Sequence, residues 1–341
     1  MNIRLFIVCF AFIVLSPRFL LFAQIGMKLS AETGFFSSSG TSISTNSHIT
    51  FRFDAQGSYK FVDQKNNWNL KLRIRPKFYG SINTTSITKY SAQSDYLRRN
   101  KKTTWGLSFV RQFYQYRNPI SEINFDILQL QANLSRIINP KLAGMLYAKY
   151  FYRDLSSNVR NSLDAVAIGA ALHWSLDRYA KLTFEIYGEQ FTIDNSELIG
   201  IDKNLLSNTG WRLGPDIGYA YQRKFILRLN YHIYKQQSEL DNDIKAEHSL
   251  RLLFGKIINQ QWSVFILLDT YIRNKPAISD SVYYARYTPL NTESNMYGKI
   301  DYKINPQVNL FFKLEYAKDE LFLQNIAFSS KQMTMGLEWR R

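Results

Sequence analysis

The chain has 341 residues, 45% of them apolar and 15% aromatic, and it carries a formal net charge of +16. That apolar and aromatic content excludes a disordered chain. After residue 23 no apolar run approaches the roughly 18 residues that a spanning helix needs, which excludes a helical membrane protein.

Residues 1–23 read as an export signal: Arg4 supplies the positive start, residues 5–15 the apolar core, and Ala23 the residue before the cut. The only cysteine, Cys9, lies inside this segment, so residues 24–341 form a thiol-free barrel domain suited to an oxidising compartment. Seven short polar turns then follow, at 63–67, 98–102, Asn139-Pro140-Lys141, 177–181, Gln222-Arg223-Lys224, Asn259-Gln260-Gln261 and Asn305-Pro306-Gln307. Their spacing is about 40 residues, enough for two strands of about 10 to 14 residues, one tight turn and one longer connection. A soluble propeller shares such a period, but its blades need four short strands where this chain offers two long ones.

Eight such hairpins account for residues 24–341, which predicts an all-β antiparallel transmembrane β-barrel of 16 strands. Fourteen strands result if the weakest segment, 86–96, is a loop. The short turns and both ends are assigned to the periplasmic side, and the longer polar segments 37–47, 155–162, 194–208, 238–245, 275–291 and 318–327 to the outside. Segment 194–208 contains Ile199, Ile201, Leu205 and Leu206, and is expected to fold against the mouth of the lumen. Segment 282–287 is the second candidate for that role. Pro76 and Pro215 interrupt good strand patterns, and a bulge is expected at each because proline has no ladder donor.

Within strands the alternation is explicit. Trp211, Leu213, Ile217, Tyr219 and Tyr221 share one face while Arg212, Gly214, Asp216 and Gly218 share the other. Leu227, Leu229, Tyr231 and Ile233 oppose Arg228, Asn230 and His232 in the same way. Trp68, Trp105, Trp174, Trp262 and Trp339 fall at strand ends assigned to the periplasmic interface, with Trp211 alone at the other rim. The last segment alternates Met333, Met335, Leu337 and Trp339 before Arg340 and Arg341.

With these features the chain resembles a porin-like outer-membrane β-barrel of a Gram-negative bacterium, and the Ala23-Gln24 junction is similar to those of Bacteroidota exports. The resemblance is architectural and carries over no family site. It implies outer-membrane lipid and lipopolysaccharide around the barrel, the barrel-assembly machinery as a partner during insertion, and small hydrophilic solutes as cargo. A homo-oligomer is left open, and nucleic acid is not an expected partner of an exported barrel.

Charge is the main functional clue. Arg52, Lys71, Arg73 and Arg75 lie on the polar faces of neighbouring strands with only Asp54 opposing them, and Arg212, Arg228 and Arg251 lie on the polar faces of later strands. These seven are the expected channel-lining residues, in a lumen that favours anions. The competing reading is that lumen charges pair across strands to fill the barrel. Catalysis is not expected. His173 and Ser175 share a strand face with Ala165, Ala167, Gly169 and Ala171, which points them into the lumen without a third orienting group. Glu185 and Glu189 sit about 13 Å apart along a strand, beyond glycosidase spacing. No cofactor or metal is expected, since the acidic segment with Glu239, Asp241 and Asp243 lacks the glycine and spaced ligands of a calcium loop. The expected function is a porin-like channel, with a structural or docking barrel of a secretion, adhesion or envelope-assembly complex as the alternative.

Overall fold

The computed structural model describes residues 23–40, 43–79, 86–117, 122–156, 161–194, 207–239, 241–273, 292–321 and 326–341. They form 16 strands: β1 (Ala23–Gly40), β2 (Ile43–Val62), β3 (Asn66–Tyr79), β4 (Ser86–Asn100), β5 (Thr103–Arg117), β6 (Glu122–Asn139), β7 (Leu142–Ser156), β8 (Asn161–Ser175), β9 (Ala180–Asp194), β10 (Ser207–Gln222), β11 (Ile226–Ser238), β12 (Asp241–Ile257), β13 (Trp262–Arg273), β14 (Thr292–Lys303), β15 (Val308–Leu321) and β16 (Ile326–Arg340). Each strand pairs antiparallel with its sequence neighbours, and β1 pairs with β16 to close the barrel. Residues 86–96 therefore belong to a strand, and the count is sixteen rather than fourteen. Residues 1–22 of the expected export signal 1–23 and the apolar connection 195–206 lie outside the described residues, as does 282–287.

The apolar residues sit on the outside. Ile25, Ile168 and Ile186 are 65–68% exposed, whereas the inward positions alternating with them are Gln24, Gly26, Ala167, Gly169, Glu185 and Tyr187. That inversion of a soluble protein is what a lipid solvent selects, because an apolar band costs nothing in hydrocarbon and the closed ladder leaves no edge unpaired. The tryptophans fix the band's height. Trp68, Trp105, Trp174, Trp262 and Trp339 project outward at the short-turn end, and Trp211 projects outward near the opposite end. Their indoles are anchored by neighbours: Trp68 Nε1 donates to Ser94 Oγ at 2.9 Å, Trp105 meets Tyr96 edge to face, and Trp262 packs at a tilt on Tyr302.

The short turns share a mechanism. Asp63, Asp177, Asn259 and Asn305 each accept, through Oδ1, the backbone N–H groups two and three residues on, at 2.6–2.9 Å, and Asn139 accepts from Lys141 N at 2.9 Å. Such side-chain turns mimic a backbone turn and fix the register of the hairpin. In the two-residue turn between β4 and β5, Lys101 takes a φ of 46°, the left-handed conformation a tight hairpin demands.

For Asp63 and Asp177 these donors hold the carboxyl below its ordinary pKa, with the Asn66 side chain contributing first at Asp63 and the Tyr179 amide first at Asp177. A depressed folded pKa contributes stability above the unfolded pKa and loses it as pH falls through the folded value. Asp63→Asn with Asp177→Asn keeps the acceptor oxygen that Asn259 and Asn305 already supply. The double variant is expected to lose less thermal stability than the parent between neutral pH and about pH 3. Equal acid loss in the two proteins would show that these turns do not contribute.

Two expectations are corrected. Pro76 pairs with Thr88 and Pro215 with Ile186 in unbroken register, and neither strand bulges there. Each proline only interrupts the pairing on its other side, towards β2 and β11, and the register resumes unchanged beyond it. The irregularities fall near the rims instead, at 38/40, 137/139, 236/238 and 292/294. Segments 37–47, 238–245 and 318–327 are also largely strand rather than loop, as in Ser37↔Ser47, Gln236↔Lys245 and Lys318↔Ser329.

Candidate channel lumen

All seven expected lining residues point inward, and the structure separates them into two groups. On β2 and β3, Arg52, Lys71, Arg73 and Arg75 form one basic arc, which Lys77 on β3 and Lys89 on β4 extend. Register sets cations directly opposite one another, Arg52 against Lys77 and Arg75 against Lys89. Like charges in such positions repel unless water, a counter-charge or an anion lies between them.

Carboxylates answer only part of this charge. Arg52 is ion-paired with Glu32 of β1, and Arg73 and Arg75 share Asp54, through Nε contacts of 2.7 Å and 3.3 Å. Lys77 Nζ reaches past β2 and β1 to donate to Gln332 Oε1 of β16 at 2.8 Å, and Lys89 Nζ sits 4.5 Å from the centre of the Tyr114 ring. Lys71 has no carboxylate partner among the described residues. Below the arc, towards the short turns, Lys60, Asn67, Asn69, Asp95, Ser108 and Asn133 line a recess of about 430 Å³. Asp95 is held there by Ser108 Oγ at 2.7 Å and Gln93 Nε2 at 2.8 Å.

Across the barrel, Arg212 belongs to a different arrangement. Its guanidinium lies 2.9 Å from Glu247 and 3.7 Å from Glu189, and over the Tyr234 ring at 4.7 Å, with all three charged residues under 10% exposed. Tyr187 donates to Glu189 and packs at a tilt against Tyr234, ring centres 5.4 Å apart, while Tyr147 donates to Glu185. Arg212 and Glu247, Tyr187 and Tyr234, and Tyr147 and Glu185 sit two strands apart, so something must let a side chain pass over the strand between them. Glycine does. The Tyr147 ring lies over Gly169 of β8, where a Cβ would come within 2.7 Å of Cε1, and Phe191 lies over Gly210 of β10, where a Cβ would come within 2.5 Å of Cζ. Larger residues at either glycine would lift the rings into the lumen. The other two expected residues lie apart: Arg251 bonds Asp269 through Nε at 2.9 Å, and Arg228 is exposed near the short-turn mouth.

The tyrosine-carboxylate wall was missed by sequence reading. The signal for it was present in the small inward residues of β8 (Ala165, Ala167, Gly169, Ala171) and β10 (Gly210, Gly214, Gly218). His173 does point into the lumen, where its Nδ1 lies 3.1 Å from Thr183 Oγ1.

A closed, even-stranded antiparallel barrel with an apolar outer band, an aromatic girdle and a charged interior defines a bacterial outer-membrane β-barrel. Its short turns mark the end expected to face the periplasm. No protein-family model matches the chain, and no curated protein matches it. Among solved structures, CdiB from Acinetobacter baumannii is similar with a TM-score of 0.50 at 8% identity, covering 92% of this chain and 60% of that one. The toluene transporter TodX of Pseudomonas putida gives 0.40 at 9% identity, covering 97% and 93%. OccAB1 of Acinetobacter baumannii gives 0.41 at 9%, covering 92% and 96%. At such identities the likeness concerns the fold alone.

Proposed function

We propose that the barrel is an outer-membrane diffusion channel for small hydrophilic solutes and that it favours anions. The observation that carries this reading is the basic arc, where Arg73 and Arg75 share the single carboxylate of Asp54 and Lys71 faces the lumen with no carboxylate partner among the described residues. Fixed cations beside a water path concentrate anions and repel cations, an effect that weakens beyond a Debye length of about 8 Å at physiological salt. The aromatic side chains laid over Gly169 and Gly210 support an unfilled interior, since they line the wall instead of crossing it.

Planar-bilayer recordings in a salt gradient test this. The parent protein is expected to pass anions about two- to five-fold better than cations at low salt, with the preference shrinking as salt screens the wall. Arg73→Ser with Arg75→Ser leaves Asp54 facing the lumen without those two cations, and should abolish or reverse the preference. A correctly folded barrel without conductance would overturn the channel and favour a structural or docking role.

A further inference from the structure

The lumen accounts for only part of the positive charge; much of the rest rings the periplasmic rim. Five of the seven short turns carry Lys or Arg, and the other two have Lys256 or Lys303 at the strand end beside them. The two acids in these turns, Asp63 and Asp177, are committed to backbone N–H groups. Their two charges, Asp63 near Arg98 and Asp177 near Arg178 and Arg223, offset only part of the positive charge of the rim.

The basic side chains sit at the height of the indole girdle. Arg98 is exposed on the outer face and pairs in register with Trp105, and Arg178 follows Trp174 by one turn. Two neighbouring turns are also joined. Gln222 N donates to Tyr179 O at 2.9 Å, and the guanidiniums of Arg178 and Arg223 lie 4.6 Å and 4.8 Å from the centre of the Tyr179 ring. Two cations are thus held on one aromatic plate at the membrane boundary.

We infer that this rim is a docking surface for the anionic phospholipid headgroups of the periplasm-facing leaflet. An acidic protein would be matched by one basic patch, whereas this charge is spread around the circumference at headgroup height, the distribution a surrounding lipid annulus meets. Interfacial Lys and Arg attract anionic headgroups strongly, and the attraction fades within a Debye length. The inference is independent of whether the lumen conducts.

The test places the intact barrel in phosphatidylcholine bilayers containing a trace of spin-labelled phosphatidylglycerol or spin-labelled phosphatidylcholine, and reads the fraction of each probe immobilised at the protein. Phosphatidylglycerol is expected to be preferred by about five-fold at low salt, and the preference to fall towards unity at about 1 M salt, where the Debye length is about 3 Å. The variant Arg98→Gln, Lys101→Gln, Lys102→Gln, Arg178→Gln, Arg223→Gln should lose most of the preference at low salt. All five side chains are solvent-exposed, so folding is expected to survive; should it fail, the salt titration of the parent decides alone. Equal association of the two lipids with the parent at low salt, or a preference unchanged in the folded variant, would overturn the inference.

Discussion

Gly34→Val is expected to prevent barrel closure. Gly34 faces the lumen on β1 opposite Thr334 of β16, where a Cβ would fall 2.7 Å from Thr334 Cα and closer still to the Met333 carbonyl oxygen. The obstruction is backbone, so no rotamer change relieves it. Gly336, the partner of Glu32 in the same seam, is equally confined by the Ala31 carbonyl. Overpacking against movable side chains already costs about 1–3 kcal/mol, and here the ladder itself has to separate. The measurement is the fraction of heat-modifiable folded band, together with the urea midpoint. Gly57→Val is the control, because a Cβ at Gly57 meets nothing within 4 Å. If the two variants fold equally well, the seam is not confined as described.

Arg212→Ala is expected to destabilise the folded barrel by about 3–5 kcal/mol, the usual consequence of removing one member of a buried ion-pair group. Glu189 and Glu247 would remain buried without the cation that now lies 3.7 Å and 2.9 Å from them. Adding Glu247→Gln to Arg212→Ala should recover part of the loss, since it removes one of the two charges left behind. Equilibrium urea unfolding of Arg212→Ala, Glu247→Gln and the double variant gives the coupling directly. Additive losses would mean that Arg212 acts through packing on Tyr234 rather than through charge.

The strand count and the hairpin turns were readable in the sequence because turns and girdle are local signals. Asn259, Asn305, Asp177 and the tryptophans announce their roles wherever they occur. Other features depend on where a residue sits in the finished cylinder. Strand β4 was the least legible because Ser91 and Gln93 face inward while Thr88 and Ser94 face outward, so polarity hardly alternates. Segments such as 37–47 looked like loops because they are polar on both faces, yet they continue the ladder, held by backbone hydrogen bonds. The prolines were over-read: losing pairing towards one neighbour did not require an extra residue.

The candidate lumen divides in the same way. Inward orientation of Arg52, Lys71, Arg73, Arg75, Arg212, Arg228 and Arg251 follows from alternation and was legible. Their partners were not, because Glu32 belongs to the neighbouring strand β1 and Glu247 lies two strands from Arg212. Pairing at that distance depends on curvature and on small intervening residues, neither of which leaves a periodic trace.

The pairing order has a kinetic consequence. Every pairing but one joins strands consecutive in sequence, and β1 with β16 alone brings together the two ends of the chain. Hairpins pinned by their own turns can form early, since short loops close at little entropic expense. The final pairing spans nearly the whole chain and has the highest contact order in the molecule, so it is the natural rate-limiting event. Until it occurs, β1 and β16 are open edges in a membrane that offers no water to satisfy them. An assembly factor would therefore hasten folding most by sheltering those two edges and bringing them together.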